Sequence, residues 1–195
     1  MGKLTEIFPA SSTNNVLEVV QGTCDGRSIT VDSGTYTLES VTTHTDGTTS
    51  YQKIPGSLIA YTPPANTRTV LYRFDFKWHS IGSSGISHFY VDIDGTRITN
   101  SNKTFSENYS GNHGHAHGGR GDSLYWLFDL TAGSDNAANG EFASWTSNKT
   151  IQCKFRRYDG SSYGVAVNWN RYYNGTSSSG NYVYNRPTLT IMSFK

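Results

Sequence analysis

The fold class turns on Thr69-Val70-Leu71-Tyr72-Arg73-Phe74-Asp75-Phe76-Lys77-Trp78. Val70, Tyr72, Phe74, Phe76 and Trp78 alternate with Leu71, Arg73, Asp75 and Lys77. Side chains in a strand point alternately to its two faces, so period two with one aromatic and one mostly charged face predicts a half-buried strand. A sheet wet on one side is antiparallel in type.

The same period recurs on both sides of this stretch. Residues 16–21 form a short apolar-rich run, residues 27–36 alternate around Ile29, Val31 and Tyr36, and residues 57–61 carry Leu58 and Ile59. Pro63-Pro64 then forces an extended turn. Residues 88–93 place Phe89, Val91 and Ile93 on one face and run into Asp94-Gly95, a strong hairpin signal that returns through Arg97 and Ile98. Residues 124–130, 149–158, 164–169 and 187–194 complete the series, with a second turn at Asp159-Gly160. No window of 11 or more residues holds a helical stripe. The expectation is an all-β chain of eight to ten strands, an antiparallel two-sheet sandwich of jelly-roll-like type. Residues 1–15, polar and carrying Pro9, read as an N-terminal arm that contacts a partner, and residues 16–195 as one domain.

Composition narrows the function classes. The 195 residues carry a formal net charge of +1, and only 16% are charged against the usual quarter or so. Gly, Ser, Thr and Asn make up roughly two-fifths of the chain, and aromatics reach 13%, which is enough apolar mass to pack. The densest basic group, Lys154, Arg156 and Arg157, reads as a solvated strand face, so nucleic acid is not an expected partner. No run approaches the ~18 apolar residues of a membrane helix. The N-terminus lacks the apolar stretch of a signal peptide, which predicts synthesis in a cytoplasm. Cys24 and Cys153 fit no zinc spacing and read as small buried hydrophobes.

Two segments stand out as candidate sites. Residues 100–122, about 23 without a strand pattern, contain His113, His115 and His117 in a Gly-rich frame, and loops of this length are often functional. In an extended backbone these histidines point to one side, about 6.5–7 Å apart at each step. Two could share an ion on one chain, and all three could ring an axis where three chains meet. Imidazole suits Zn, Ni, Cu and Fe. The other open reading is a solvated loop. Residues 169–185 gather Trp169, Arg171, Tyr172, Tyr173, Tyr182 and Tyr184 around a Ser/Gly stretch. Such tyrosines can stack on a host-surface glycan or pack on another subunit, or they can cap the core.

Catalysis is not expected. Asp92 and Asp94 could form a carboxylate pair, but Asp94 is explained by its turn and Asp92 by pairing. His79 and His88 flank the turn at 81–87 near Ser83 and Ser84 without a recognisable constellation, and no nucleophile elbow, P-loop or dinucleotide fingerprint occurs. Arg120-Gly121-Asp122 and the glycosylation triplets at Asn102, Asn108, Asn148 and Asn174 are expected by chance in this composition.

Val16-Leu17-Glu18-Val19-Val20 is similar to the "VLQVV" opening of small virion-associated proteins of marine bacteriophages. Residues 57–61, Pro63-Pro64 and 69–76 resemble the extended segment, turn and aliphatic strand that follow in those proteins, and residues 88–98 their hairpin. Lys154-Phe155-Arg156 and Val167-Asn168 look like the penultimate strands, and residues 186–194 like the closing strand, with Ser193-Phe194 where an acidic residue and Ile are usual. The histidine run departs from the general pattern and looks like the H-x-H metal motifs of some phage fibre tips, whose ions sit on a trimer axis. The resemblance implies a tail-fibre, head-fibre or capsid-decoration protein, made in the host cytoplasm and carried on the virion. Its implied partners are other capsid or tail proteins, and its implied metal is Zn, Fe or Ni. Because exposed sheet edges are a liability for a monomer, a homotrimer is expected. The alternative is a carbohydrate-binding adhesin outside any structural role.

Overall fold

The computed structural model describes residues 15–80, 84–108, 120–160, 164–172 and 181–195. Eight principal strands carry the architecture: β1 (Val16–Thr23), β6 (Ile59–Tyr61), β7 (Thr69–Ser80), β8 (Ser84–Ile93), β10 (Lys103–Asn108), β11 (Arg120–Asp129), β12 (Lys149–Arg157) and β16 (Thr188–Phe194). Taken in chain order as first to eighth, they lie 1-8-3-6 in one sheet and 2-7-4-5 in the other. All pairs are antiparallel. This interleaving of early and late strands is the jelly roll, and the all-β sandwich expected from the sequence is what the chain adopts.

The remaining strands are short additions. β2 (Ser28–Val31) and β3 (Gly34–Thr37) form a hairpin, β4 (Thr45–Asp46) pairs with β13 (Val165–Val167), β5 (Gln52–Lys53) extends the line of β6 along β12, β9 (Thr96–Arg97) pairs with β8, and β14 (Trp169–Tyr172) pairs with β15 (Asn181–Tyr184). The strand total therefore exceeds the eight to ten expected, because strands of two to four residues are too short to show a period.

The alternation in β7 sets the core. Val70, Tyr72, Phe74, Phe76 and Trp78 are all buried and face the second sheet. Phe76 meets Phe89 of β8 at 5.5 Å between ring centroids, and Trp78 stacks on Phe105 of β10 at 6.0 Å. The connection between β11 and β12 closes the lower end: Trp145 packs edge-on against Phe128 at 5.4 Å and donates its indole N–H to the Tyr61 carbonyl at 3.0 Å.

Four expectations change. Residues 27–36 are not one strand but the β2–β3 hairpin, turned at Asp32-Ser33. Residues 100–122 are not one loop: polar Lys103–Asn108 forms the edge strand β10, where Phe105 packs on the core, and β11 begins at Arg120. Residues 164–169 do not run as one strand, because Asn168 has φ 58° and turns the chain after Val167. Residues 169–185 contain the β14–β15 ladder. The hairpin at Asp94-Gly95 forms as expected, with φ 49° and 82°.

Direction follows from the registers. Val16 lies beside Phe194, Thr69 beside both Phe194 and Asp129, and the Lys195 N–H donates to the Asn15 carbonyl at 2.8 Å. Ser80, Ser84, Asn108 and Arg120 mark the opposite end, with Asn108 beside Ser84 and Arg120 beside Trp78.

Candidate contact surfaces

His113, His115, His117 and Tyr173 lie outside the described residues. Their segments are bracketed by Asn108 and Arg120 at the end of the sandwich away from Asn15, and by Tyr172 and Asn181 in the second hairpin. That hairpin starts near the same end, since the Asn168 N–H donates to the Lys77 carbonyl at 2.7 Å. The ladder pairs Trp169 with Tyr184, Arg171 with Tyr182 and Tyr172 with Asn181. Trp169 stacks on His44 at 4.6 Å and meets His79 edge-on at 5.4 Å, so its ring ties β14 to the first sheet. Tyr184 lies under the Arg186 guanidinium, 5.6 Å from its ring centroid.

The candidate acid–base groups have structural work. Asp92 is buried and accepts from the Gly95 N–H and the Gln152 amide, both at 3.1 Å. Asp94 accepts the Thr150 N–H at 2.7 Å. His79 belongs to the first sheet, while His88 belongs to the second and contacts the Thr104 hydroxyl through Nδ1 at 3.0 Å. Cys24 and Cys153 are free and buried, and burial above all pushes both thiols up to about 12. Arg120-Gly121-Asp122 opens β11, and the Asp122 carboxylate takes the Trp78 indole N–H, so the tripeptide is ladder rather than loop tip. Among the described residues no three His, Cys, Asp or Glu side chains group as metal ligands, and no helix is long and apolar enough to cross a membrane.

Two surfaces escaped the sequence reading. The first is the edge of β11. Alternate residues of an antiparallel strand turn their N–H and C=O groups to the same side. Asp129 bonds Gly140 and Phe142, and the Ser123 carbonyl accepts from Lys103 Nζ at 3.1 Å, so odd-numbered residues face away from β7. Among the described residues no strand pairs with that side of Gly121, Ser123, Tyr125 and Leu127. Tyr125 and Leu127 are each 55% exposed. Register extends Leu127 into a row across the outer face of the sheet, through Leu71 and Met192 to Val19.

The second surface is the outer face of the β8–β12 sheet. Inward Phe89, Val91, Cys153 and Phe155 leave His88, Tyr90, Lys154 and Arg156 outside. Tyr51, just before β5, meets Tyr90 at 4.7 Å. The Arg97 guanidinium lies 4.6 Å from the Tyr90 centroid and 5.3 Å from that of Tyr51, and Arg156 lies 5.2 Å from Tyr51 on the same face. Burial, then the fields of Arg156 and Arg97, hold His88 below the ordinary imidazole value.

No protein-family model matches the chain, and no curated protein matches its sequence.

Proposed function

We propose that this chain is a non-enzymatic structural protein of a bacteriophage virion, a tail-fibre, head-fibre or capsid-decoration component that works by contact with other chains. The observation that carries the contact reading is that, among the described residues, no strand pairs with the outer edge of β11, where Lys103 alone reaches the Ser123 carbonyl and Tyr125 and Leu127 stand exposed. An edge of this length pairs with any strand offered to it unless it is covered. The apolar row from Leu127 to Val19 supplies a desolvating face next to those backbone groups. The occupant is a second copy of this chain, and a homotrimer is the assembly proposed, with capsid or tail proteins as the further partners. The virion assignment itself rests on the sequence resemblance.

A second reading, a carbohydrate-binding adhesin, is favoured by the way β10 ends, β11 begins and β14 starts near one end of the sandwich.

Native mass by size exclusion with light scattering tests assembly. A mass near three times 21.5 kDa is expected, with loss of the oligomer in Leu127→Lys. A monomer at every concentration overturns self-association. Elemental analysis of the same sample for Zn, Fe and Ni tests the histidine run.

A further inference from the structure

The outer face of the second sheet holds two guanidiniums on one tyrosine ring and, among the described residues, no carboxylate paired with either. Asp92, the carboxylate beside Arg97 in register, is buried and accepts from Gly95 and Gln152. Among the described residues neither Arg97 nor Arg156 makes an ion pair, whereas Arg27, Arg73, Lys53 and Lys149 each do. Arg97 donates to the Asn102 side chain at 2.8 Å, which fixes its fork, and Arg156 Nη1 reaches the Thr49 carbonyl at 3.4 Å. Arg156 Nε is buried with no hydrogen-bond partner. Guanidiniums that share a ring but have no carboxylate partner keep outward N–H donors that an anion can accept from. Tyr51 and Tyr90 add aromatic rings with phenol groups, the pairing of surfaces that sugar rings pack on.

We propose that this face binds an acidic carbohydrate, with Arg97 and Arg156 taking its carboxylate or sulfate and Tyr51 and Tyr90 packing on its ring. Lys154, opposite Tyr90 in register, and His88, opposite Arg156, border the anion position. The size of the charge cluster favours a sugar over a single-stranded nucleic acid. A nucleic-acid groove tracks several successive phosphates with a basic stripe, whereas here Lys53, opposite Lys154 in register, is held by Glu39, and the cations near the ring without an ion pair among the described residues are Arg97, Arg156 and Lys154, in a chain of net charge +1. The site lies on the sheet opposite β11 and does not rest on the assembly reading. It shares a ligand class with the adhesin reading but none of its residues.

The test is calorimetric titration of the purified full chain at low salt with four probes: a sulfated heparin-type hexasaccharide, an oligosialic acid, a neutral dextran oligosaccharide and an oligothymidylate. Saturable binding of at least one acidic sugar is expected, with none for dextran. The sulfated and sialylated arms tell an ester sulfate from a carboxylate. Arg97 is exposed, so Arg97→Gln keeps the fold, and it is expected to raise Kd at least about tenfold. Arg156→Lys, which keeps the charge but loses the fork, should also weaken binding. The idea is overturned if neither acidic sugar binds, if dextran binds equally, if oligothymidylate binds more tightly, or if both substitutions leave Kd unchanged. The light-scattering mass of the same samples reads assembly separately.

Discussion

The Tyr72 hydroxyl donates to the Ser57 carbonyl at 2.6 Å and lies 3.3 Å from the Cys153 sulfur, joining the two sheets inside the core. Tyr72→Phe removes the donor and leaves the Ser57 carbonyl buried without it. A loss of about 1–3 kcal/mol is expected, read as a lower denaturation midpoint with an unchanged m value. An unchanged midpoint would mean that Ser57 finds another donor.

The buried thiols make the fold sensitive to alkali. Both cysteines are pushed up to about 12, mainly by burial, while an unfolded thiol titrates near 8.5. Above that value the unfolded chain loses protons the native chain keeps. The contribution is therefore complete below about pH 8.5 and is lost as pH rises towards 12. The melting temperature should fall from about pH 9 upward, and more gently in Cys153→Ala after allowing for its lower starting stability. Ellman's reagent should label neither thiol in the native chain at pH 8 and both in denaturant.

Glu18 is a buried carboxylate in β1. It accepts from the Ser33 N–H at 2.9 Å, the Ser33 hydroxyl at 2.6 Å and the Tyr61 hydroxyl at 2.8 Å. It thus ties β1 to the β2–β3 turn and to β6. Glu18→Ala leaves the Ser33 N–H unmatched and the Ser33 and Tyr61 hydroxyls with only Tyr36 and Ser193 to donate to, and should cost about 2–4 kcal/mol, more than Glu18→Gln, which keeps one acceptor oxygen. Equal losses for the two variants would show that packing, not hydrogen bonding, dominates.

Gly140 has φ 74°, and a Cβ there would stand 2.2 Å from Trp126 Nε1 and 2.8 Å from its Cδ1. Gly140→Ala must move the indole and hold a left-handed backbone, so a loss of about 2–4 kcal/mol is expected. A shifted tryptophan emission should accompany it, and an unaltered spectrum would count against the contact.

How much of this the sequence discloses depends on the range of the interaction. In β7, alternation named the buried face residue by residue, and Asp94-Gly95 named its own turn, because both signals are local. In β1 the period left the facing open: Glu18 and Val20 point in and Val19 out, an arrangement stabilised by Ser33 and Tyr61, which are distant in sequence. β10 was hidden because an edge strand with one inward apolar residue looks like a loop. The acidic-sugar face joins Tyr51, Tyr90, Arg97 and Arg156 from four separate segments. Within each segment these residues are ordinary outward positions, and only the pairing of β5 with β12, β12 with β8 and β8 with β9 makes them neighbours.

The hydrogen bond between Lys195 and Asn15, with Val16 beside Phe194, gives the sandwich a polarity. Asn15 and Lys195 lie at one pole, while β7 and β10 end and β8 and β11 begin at the other. A tether joined at Asn15 or Lys195 therefore departs from the pole away from Asn108 and Arg120, and the strands from Val16 to Phe194 can be inserted into a host protein's surface loop as a cassette whose two splice points already touch.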